Sequence, residues 1–592
     1  MMEGNGTAVP GPLNGAFSFR TNPDGTVNKS TVLCVFCNKE FSFHRSTSSL
    51  KYHLNAKHFI VKQEVQDYTA HYATANSQAR LELSQNTLDQ TSTRRRSRYT
   101  SDQLTNCIAK WIAMDCRPVS VVEDRGLAEV LQVASTKADY RPPSRSTIVS
   151  KIQQLYDTEK TTQLVVVAGA EYTALIGDQW TSASNHTHLG VTAHFIDSEW
   201  NRQAVVLTVR ETVVDACTDV FLSVAEEWGV QHITTVCTDG SLNMHDSMDA
   251  ASKRLPRYEH LPCTAHMLHR SITACLADSG FSDPLLKCRR IVHHFKHSPA
   301  NTEELQQHQA QLWQQKEHLI QDVPTRWNST LAMISCLLKN QDAIIATLNQ
   351  QKHKLDMLTA SDWDKLKRLE TLLEPCRYVT ELLGGETYVS CSVVLPALCH
   401  LYRTMEASQE DPAFVERFKT AFKKDLSEQQ TNINNRWLRI ASALDPRFKD
   451  LKFLPKGERE EVWTRLEVLL QEESSRTNLK QEEPAKKRSL LLLASDSDSD
   501  DDMMGLNGPL NRYKAEPNIC MEACPLQWWS THAGAHQELS VLARKYLASP
   551  ATSVPCERLF SVKGSTVQKK REALDSENVD QIYCLSNWLR DE

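Results

Sequence analysis

The stretch TALIGDQWTSASNHTHLGVTAHFID, residues 173 to 197, decides how the rest of the chain is read. In its second half Leu189, Val191, Ala193 and Phe195 alternate with other residues, the period of two expected of a strand with a buried face. ALIGD, residues 174 to 178, reads as a strand before it, and RQAVVLTVR, residues 202 to 210, as one after it. DVFLSVAEEWGV then reads as a helix and ITTVCTD as a fourth strand. Three adjacent strands, a helix and a further strand make a mixed α/β sheet. Its first and fourth strands both end in an aspartate, Asp178 and Asp239. Two carboxylates at neighbouring strand ends can share divalent cations that activate a water in phosphodiester cleavage. An aspartate closing a strand is also an ordinary turn residue, so the pair alone leaves both readings open.

Outside residues 166–280, which hold this first part of an α/β core, the period lengthens. In 101–165, DQLTNCIAKWIAMD places Leu104, Ile108, Trp111 and Ile112 on one helical face, and VVEDRGLAEVLQVA behaves similarly. Residues 281–470 read as an all-helical insertion and a separate unit. There DWDKLKRLETLLEPCRYVTELL spaces Trp363, Leu366, Leu369, Leu373, Val379, Leu382 and Leu383 around a kink expected at Pro375. In 517–592 two helices carry apolar stripes, Leu539, Leu542, Ala543, Tyr546 and Leu547 on one, Val579, Ile582, Leu585 and Leu589 on the other. Such stripes fit an oligomer interface or the completion of the monomer's own core. Pro555 places Glu557 in the first turn of a helix, where the macrodipole favours an acid.

At 592 residues, 40% hydrophobic and 24% charged, the chain has the mix of a soluble protein of several folding units. A net charge of -6 excludes a protein coated all over with positive charge for nucleic acid, yet residues 1–62 hold seven Lys or Arg against three acids. The seventeen cysteines, an odd number, and a start without a basic and then apolar leader predict a reduced, intracellular protein. The apolar runs LVVVAGA and SLLLLA are far short of the ~18 residues a membrane span needs, so no membrane partner is expected. Residues 62–100, ending TSTRRRSRYT, and 471–516, with KQEEPAKKRS and SDSDSDDDMM, read as a disordered basic and a disordered acidic linker. The clusters at 94–96 and 486–488 suit nuclear import and equally suit a solvated charge run.

Near the start, CVFCNKEFSFHRSTSSLKYHLNAKH, residues 34 to 58, has the spacing C-x2-C-x15-H-x4-H. A structural Zn2+ needs four soft or borderline ligands converging, and Cys34, Cys37, His53 and His58 supply them; buried thiols beside surface histidines are the plainer alternative. His44 lies off the spacing. The hydroxyl-rich STSS would cap a helix whose Leu50 and Leu54 pack inward, leaving Ser46, Ser48, Ser49 and Lys51 to face double-stranded DNA.

IGDQWTS, GVTAHFID, VCTDGSLNM, LPCTAHMLHRSI, DVPTRWNSTLAMI, ALDPRFKDLKFL and KYLASPATSVPCERLFS, in this order, resemble the motifs of the hAT superfamily of DNA transposases. With the finger at 14–61, the chain resembles the BED-type zinc finger proteins of the ZBED group, which derive from such transposases, over nearly its whole length except the two linkers. The resemblance implies a multidomain protein: a small ββα-type BED zinc finger, an RNase H-like α/β core interrupted by a large all-α insertion, and a helical C-terminal dimerisation region that would form a homodimer or higher homo-oligomer. It implies an acidic triad of Asp178, Asp239 and Glu557, with Cys263 and His266 matching a C-x2-H motif near that site. Arg326 and Trp327 match a pair that handles DNA at the cleavage point, where a stacked indole could hold an unpaired base. Departures occur at Gly240-Ser241-Leu242-Asn243, where Asn-Ala-x-Asn is usual, and at Lys563-Gly564, where Ala-Gly is common; neither removes a carboxylate. The expected function is a nuclear, zinc-dependent, sequence-specific DNA-binding protein that dimerises and regulates transcription. One alternative is an active cut-and-paste transposase using the triad with Mg2+ or Mn2+. Another, from ZBED relatives and the acceptor-like patterns around Lys62 and Lys480, is a SUMO-pathway adaptor or ligase.

Overall fold

The computed structural model describes residues 9–10, 17–21, 27–43 apart from 36 and 38, 50, 53, 101–134, 141–181, 186–212, 217–239, 258–323, 326–351, 353–385, 388–478, 508–561 and 576–589. Two compact units emerge, Met1–Arg98 and Tyr99–Glu592. In the first, strands β1 (Val9–Pro10), β2 (Phe17–Thr21), β3 (Val27–Cys34) and β4 (Glu40–Ser42) form an antiparallel sheet in that order. Phe17, Val32, Cys34 and Leu50 make its core, with Phe19, Phe41 and Phe43 packed against them. The expected finger at 14–61 takes in β2, β3 and β4, and β1 precedes it.

The second unit is built around a five-stranded sheet: β5 (Thr173–Thr181), β6 (Thr187–Ile196), β7 (Arg202–Glu211), β8 (Ile233–Thr238) and β9 (Glu259–Pro262), ordered β7-β6-β5-β8-β9. The first three strands pair antiparallel, and β8 lies parallel to β5 and to β9. The structure extends the sequence reading twice. The first strand runs three residues past Asp178, which therefore sits within β5 opposite Gly190. A fifth strand follows β8, four residues long and ending in proline, too short for any alternation to show. Both faces of β6 are covered: the alternating apolar side is buried, and on the other side buried Thr192 bonds His194 at 2.9 Å. Burial, and then the Arg202 charge, hold the His194 imidazole well below its ordinary pKa, so it packs neutral.

Helices α1 (Ser101–Met114), α2 (Arg145–Ala168) and α3 (Cys217–Glu227) precede α4 (Thr264–Asp278), α5 (Trp327–Lys339) and α6 (Ala360–Leu383). Toward the end come α7 (Gln537–Leu547), α8 (Val554–Ser561) and α9 (Ser576–Trp588). Helix α6 starts on a capping box between Thr359 and Asp362 and continues through Pro375 to Leu383.

One expectation is corrected here, and one left open is narrowed. The helical segment between the sheet and α7 is not a separate unit: its apolar residues belong to one continuous core with the sheet and α7. The C-terminal stripes also complete the monomer, since Leu539, Leu542, Ala543, Tyr546, Leu547, Ile582, Leu585 and Leu589 are all buried and Val579 packs against the same core. Helix α9 does more than fill space. Strand β7 is a sheet edge, and α9 satisfies its free backbone groups: Val209 N donates to Asp580 Oδ1 at 2.6 Å and Trp588 Nε1 donates to Val206 O at 2.9 Å. Tyr156 of α2 stacks on Trp588 at 5.3 Å, tying the N-terminal helices to the same edge.

The ALDPRFKD motif has a packing role. Fully buried Asp445 accepts from Arg447 Nε at 3.0 Å and Nη2 at 2.7 Å, from Arg447 N at 3.0 Å and from Ser392 Oγ at 2.6 Å. Lys449, also buried, donates from Nζ to Tyr513 O at 2.7 Å. Among the described residues no single helix is long and apolar enough to cross a membrane.

Candidate acidic site and zinc finger

In the finger, the turn between β3 and β4 is closed by Cys34 N donating to Lys39 O at 2.9 Å, which places Cys37 back beside Cys34. Ligand atoms of Cys34, Cys37 and His53 all lie within 4.8 Å of one another, with Cys37 Sγ 3.3 Å from His53 Nε2. Phe41 packs on His53 at 4.6 Å between ring centroids, and Phe17 packs edge-on against Phe41 at 5.7 Å, so aromatic contacts aim the imidazole. Two thiols and an imidazole at this spacing fit tetrahedral zinc. The fourth expected ligand, His58, and the expected DNA contacts Ser46, Ser48, Ser49 and Lys51 lie outside the described residues, as do Lys62 and Lys480.

In the larger unit the expected acids come from three elements. Asp178 stands on β5, Asp239 directly follows β8, the parallel neighbour of β5, and Glu557 lies in the first turn of α8. The approach of β5 to its covering helix depends on Gly177: a Cβ there would overlap the Phe221 ring of α3. The ends of the elements are pinned to one another. Cys263 N donates to Thr238 O at 2.8 Å, and Thr264 N to Ala551 O at 3.1 Å. Ser553 N donates to Cys263 Sγ at 3.2 Å, while Ser553 Oγ donates to Glu557 Oε1 at 3.4 Å.

Asp178 is 5% exposed, and its carboxyl is pushed well above the usual range by burial, then by the negative charges of Glu557 and Asp239, with His266 opposing them. The three carboxylates therefore share one electrostatic neighbourhood. His266 faces Glu557, Nδ1 to Oε1 at 3.5 Å. Burial works against its charge, but the Cys263 thiol and the Glu557 and Asp178 carboxylates lift its pKa to about 10, so it is cationic at neutral pH. Buried carboxylates crowded together are the donor set that hard divalent cations occupy.

Arg326 is the N-cap of α5 and Trp327 its first residue, and Trp327 N donates to His269 Nδ1 at 3.4 Å, one turn along α4 from His266. Arg326 is exposed, whereas Trp327 is 4% exposed with its indole in the core, so a base could stack on it only after the ring left that core. His269, Ser553 and the Gly177–Phe221 contact were not singled out in the sequence. The i, i+3 spacing of His266 and His269 in HMLH was the available signal for the first.

Comparison with known families agrees with this arrangement. Residues 19–59 match the BED zinc finger, 176–267 the ZBED1 RNase-like domain, 261–372 the ZBED1 RNase-like helical domain and 509–589 the hAT family C-terminal dimerisation region. A putative AC transposase of Zea mays is 24% identical over 81% of this chain and 64% of its own length. Zinc finger BED domain-containing protein 4 of Homo sapiens is 22% identical over 95% and 50%, and the putative transcriptional regulator tpeD of Talaromyces stipitatus is 23% identical over 82% and 62%. The chain thus spans between half and two thirds of these relatives' length. An N-terminal finger, an RNase-like sheet carrying three clustered acids, a helical insertion and the terminal helices, matched in order, make the chain a BED-type zinc finger protein of hAT transposase origin.

Proposed function

We propose that the protein is a nuclear, zinc-dependent, sequence-specific DNA-binding protein that self-associates through its C-terminal region and regulates transcription. The observation that carries this reading is the convergence of Cys34, Cys37 and His53 on one point of a phenylalanine-packed sheet. Bound zinc supplies folding free energy that so small a core lacks. The name of the fungal relative as a transcriptional regulator supports the regulatory part, and the match to a dimerisation region supports self-association. Because the apolar stripes of that region face the chain's own core, a partner copy would meet its other surfaces. One finger reads few base pairs, and two fingers on linked copies raise specificity by avidity. The test is selection of DNA from a random duplex pool by the full chain, then titration of the winner with the Cys37→Ser variant. The expected result is an affinity at least 100-fold weaker and no longer selective, within the usual gap between specific and non-specific binding. Unaltered binding by Cys37→Ser would overturn the reading.

A second reading, metal-dependent DNA cleavage, is favoured by one observation, the proximity of Asp239 and Glu557 to buried Asp178. The carboxylates of Asp178, Asp239 and Glu557 would hold Mg2+ or Mn2+, which when bound activates water and neutralises charge on a phosphodiester. Here the protein's own groups bind and orient the cations, and His266 fixes Glu557 by charge.

A further inference from the structure

Beside the triad lies a donor set of different chemistry. Cys263 Sγ, His266 Nδ1 and a Glu557 carboxylate oxygen all lie within 4.8 Å of one another. His266 Nδ1 is shielded from solvent and faces Glu557 Oε1 at 3.5 Å. Cys263 is the N-cap of α4, and its sulfur already accepts the Ser553 N–H at 3.2 Å. That hydrogen bond is the outer-shell support typical of a metal-bound sulfur. Mg2+ takes oxygen ligands in near-octahedral array, whereas thiolate with imidazole and one carboxylate selects zinc and its soft neighbours.

We propose that Cys263, His266 and Glu557 form a zinc site, built from residues other than the finger's, in which Glu557 is shared with the acidic triad. Three protein ligands leave a fourth tetrahedral position open. While zinc is bound, Glu557 is turned toward Cys263 and His266 and withdrawn from a hard cation at Asp178 and Asp239. Zinc therefore acts there as a brake on phosphodiester chemistry. This last consequence rests on the cleavage reading; the binding of zinc does not.

The test is metal content of the full chain, equilibrated with excess Zn2+, passed through a desalting column and analysed for zinc per chain. His266→Asn and Glu557→Gln, both at partly exposed side chains, are expected to hold one zinc fewer than the natural chain, and Cys37→Ser a different one fewer. Adding Cys37→Ser to His266→Asn should remove two. Loading with Co2+ should give a thiolate charge-transfer band in Cys37→Ser that disappears when His266→Asn is added. Tryptophan fluorescence reports that the body remains folded, every tryptophan lying beyond residue 98. Loss of one zinc from both His266→Asn and Glu557→Gln upholds the site even where no DNA cleavage is seen. Zinc content unchanged from the natural chain in both folded variants overturns it.

Discussion

Asp445→Ala tests whether the helical insertion and the sheet are one cooperative body. Asp445 is fully buried and accepts from Arg447 Nε and Nη2 at 3.0 and 2.7 Å, from the Arg447 backbone N–H at 3.0 Å and from the Ser392 hydroxyl at 2.6 Å. Removing it leaves a buried guanidinium uncompensated, which costs about 3–5 kcal/mol, and a hydroxyl without its acceptor, which adds about 1 kcal/mol. A loss of ~5 kcal/mol, divided by a denaturant slope of ~3–4 kcal/mol/M for a body this large, lowers the urea midpoint by about 1.5 M. The assay is urea unfolding of the full chain followed by tryptophan fluorescence. No tryptophan lies in residues 1–98, so the finger is silent, while Trp529, which donates to Leu444 O at 2.9 Å, reports from beside the ion pair. Arg447→Met should cost less, because it leaves a carboxylate that Ser392 and a backbone N–H still hold. The double variant should be at least ~1.5 kcal/mol more stable than the two losses summed, since the second change removes the orphaned partner. A single transition should persist throughout. A loss below ~1 kcal/mol for Asp445→Ala, or additive losses, would refute the claim that this pair locks the body together. Two transitions would refute the single core.

Gly177→Ala should lower the body's stability by about 1–3 kcal/mol by driving a methyl into the Phe221 ring, and adding Phe221→Leu should recover part of the loss; equal stability of Gly177→Ala and the natural chain in thermal denaturation would count against the contact. Asp178→Asn should stabilise the protein at pH 8. The folded Asp178 carboxyl is raised by burial and then by Glu557 and Asp239, so between its unfolded and folded pKa values the native state holds a proton that the unfolded state has released. Stability is therefore lost as pH rises through that window, and the whole penalty is present above it, about 1.4 kcal/mol for each tenfold difference in proton affinity. At pH 3, below both values, the substitution should bring no electrostatic gain. The same gain at pH 3 and pH 8 would show that charge is not its cause.

What the sequence made legible follows from which forces leave a periodic trace. Strand β6 was readable because its apolar side chains must point one way, and the finger because metal ligands have fixed spacing. Asp178 and Asp239 were visible as a pair, but their relation to Glu557 depends on α8 meeting α4 through Ser553 and Cys263, contacts nearly three hundred residues apart in the chain. The stripes on α7 and α9 showed that one face is buried without showing what buries it. A helix covering a sheet edge and a helix covering a partner copy have the same pattern, and only Asp580 and Trp588 bonding β7 distinguish them. Strand β9 left no trace because four residues ending in proline derive their conformation from β8 alongside. Trp327 shows the converse: its motif carried no signal of its surroundings, and packing sets its ring in the core.

The acidic site bears on the choice between the two functional readings through its cost. A chain that works only by docking a finger on DNA gains stability when the Asp178 carboxylate is lost, because Asp178 is buried against the charges of the other two acids. Holding all three together instead engages Gly177 under Phe221, the Ser553 bond to Cys263 and the facing charge of His266. Local arrangements that oppose stability are the ones that mark functional sites. Asp178→Asn therefore separates the readings in a single protein. Greater stability with DNA binding unchanged is expected under both, but only the cleavage reading requires that Mg2+ or Mn2+ stabilise the natural chain more than the variant. Binding of those cations to the native triad raises stability by mass action, and substitution of one carboxylate should reduce the rise. Equal stabilisation of the two proteins would leave the triad without a hard cation and the finger as the seat of function.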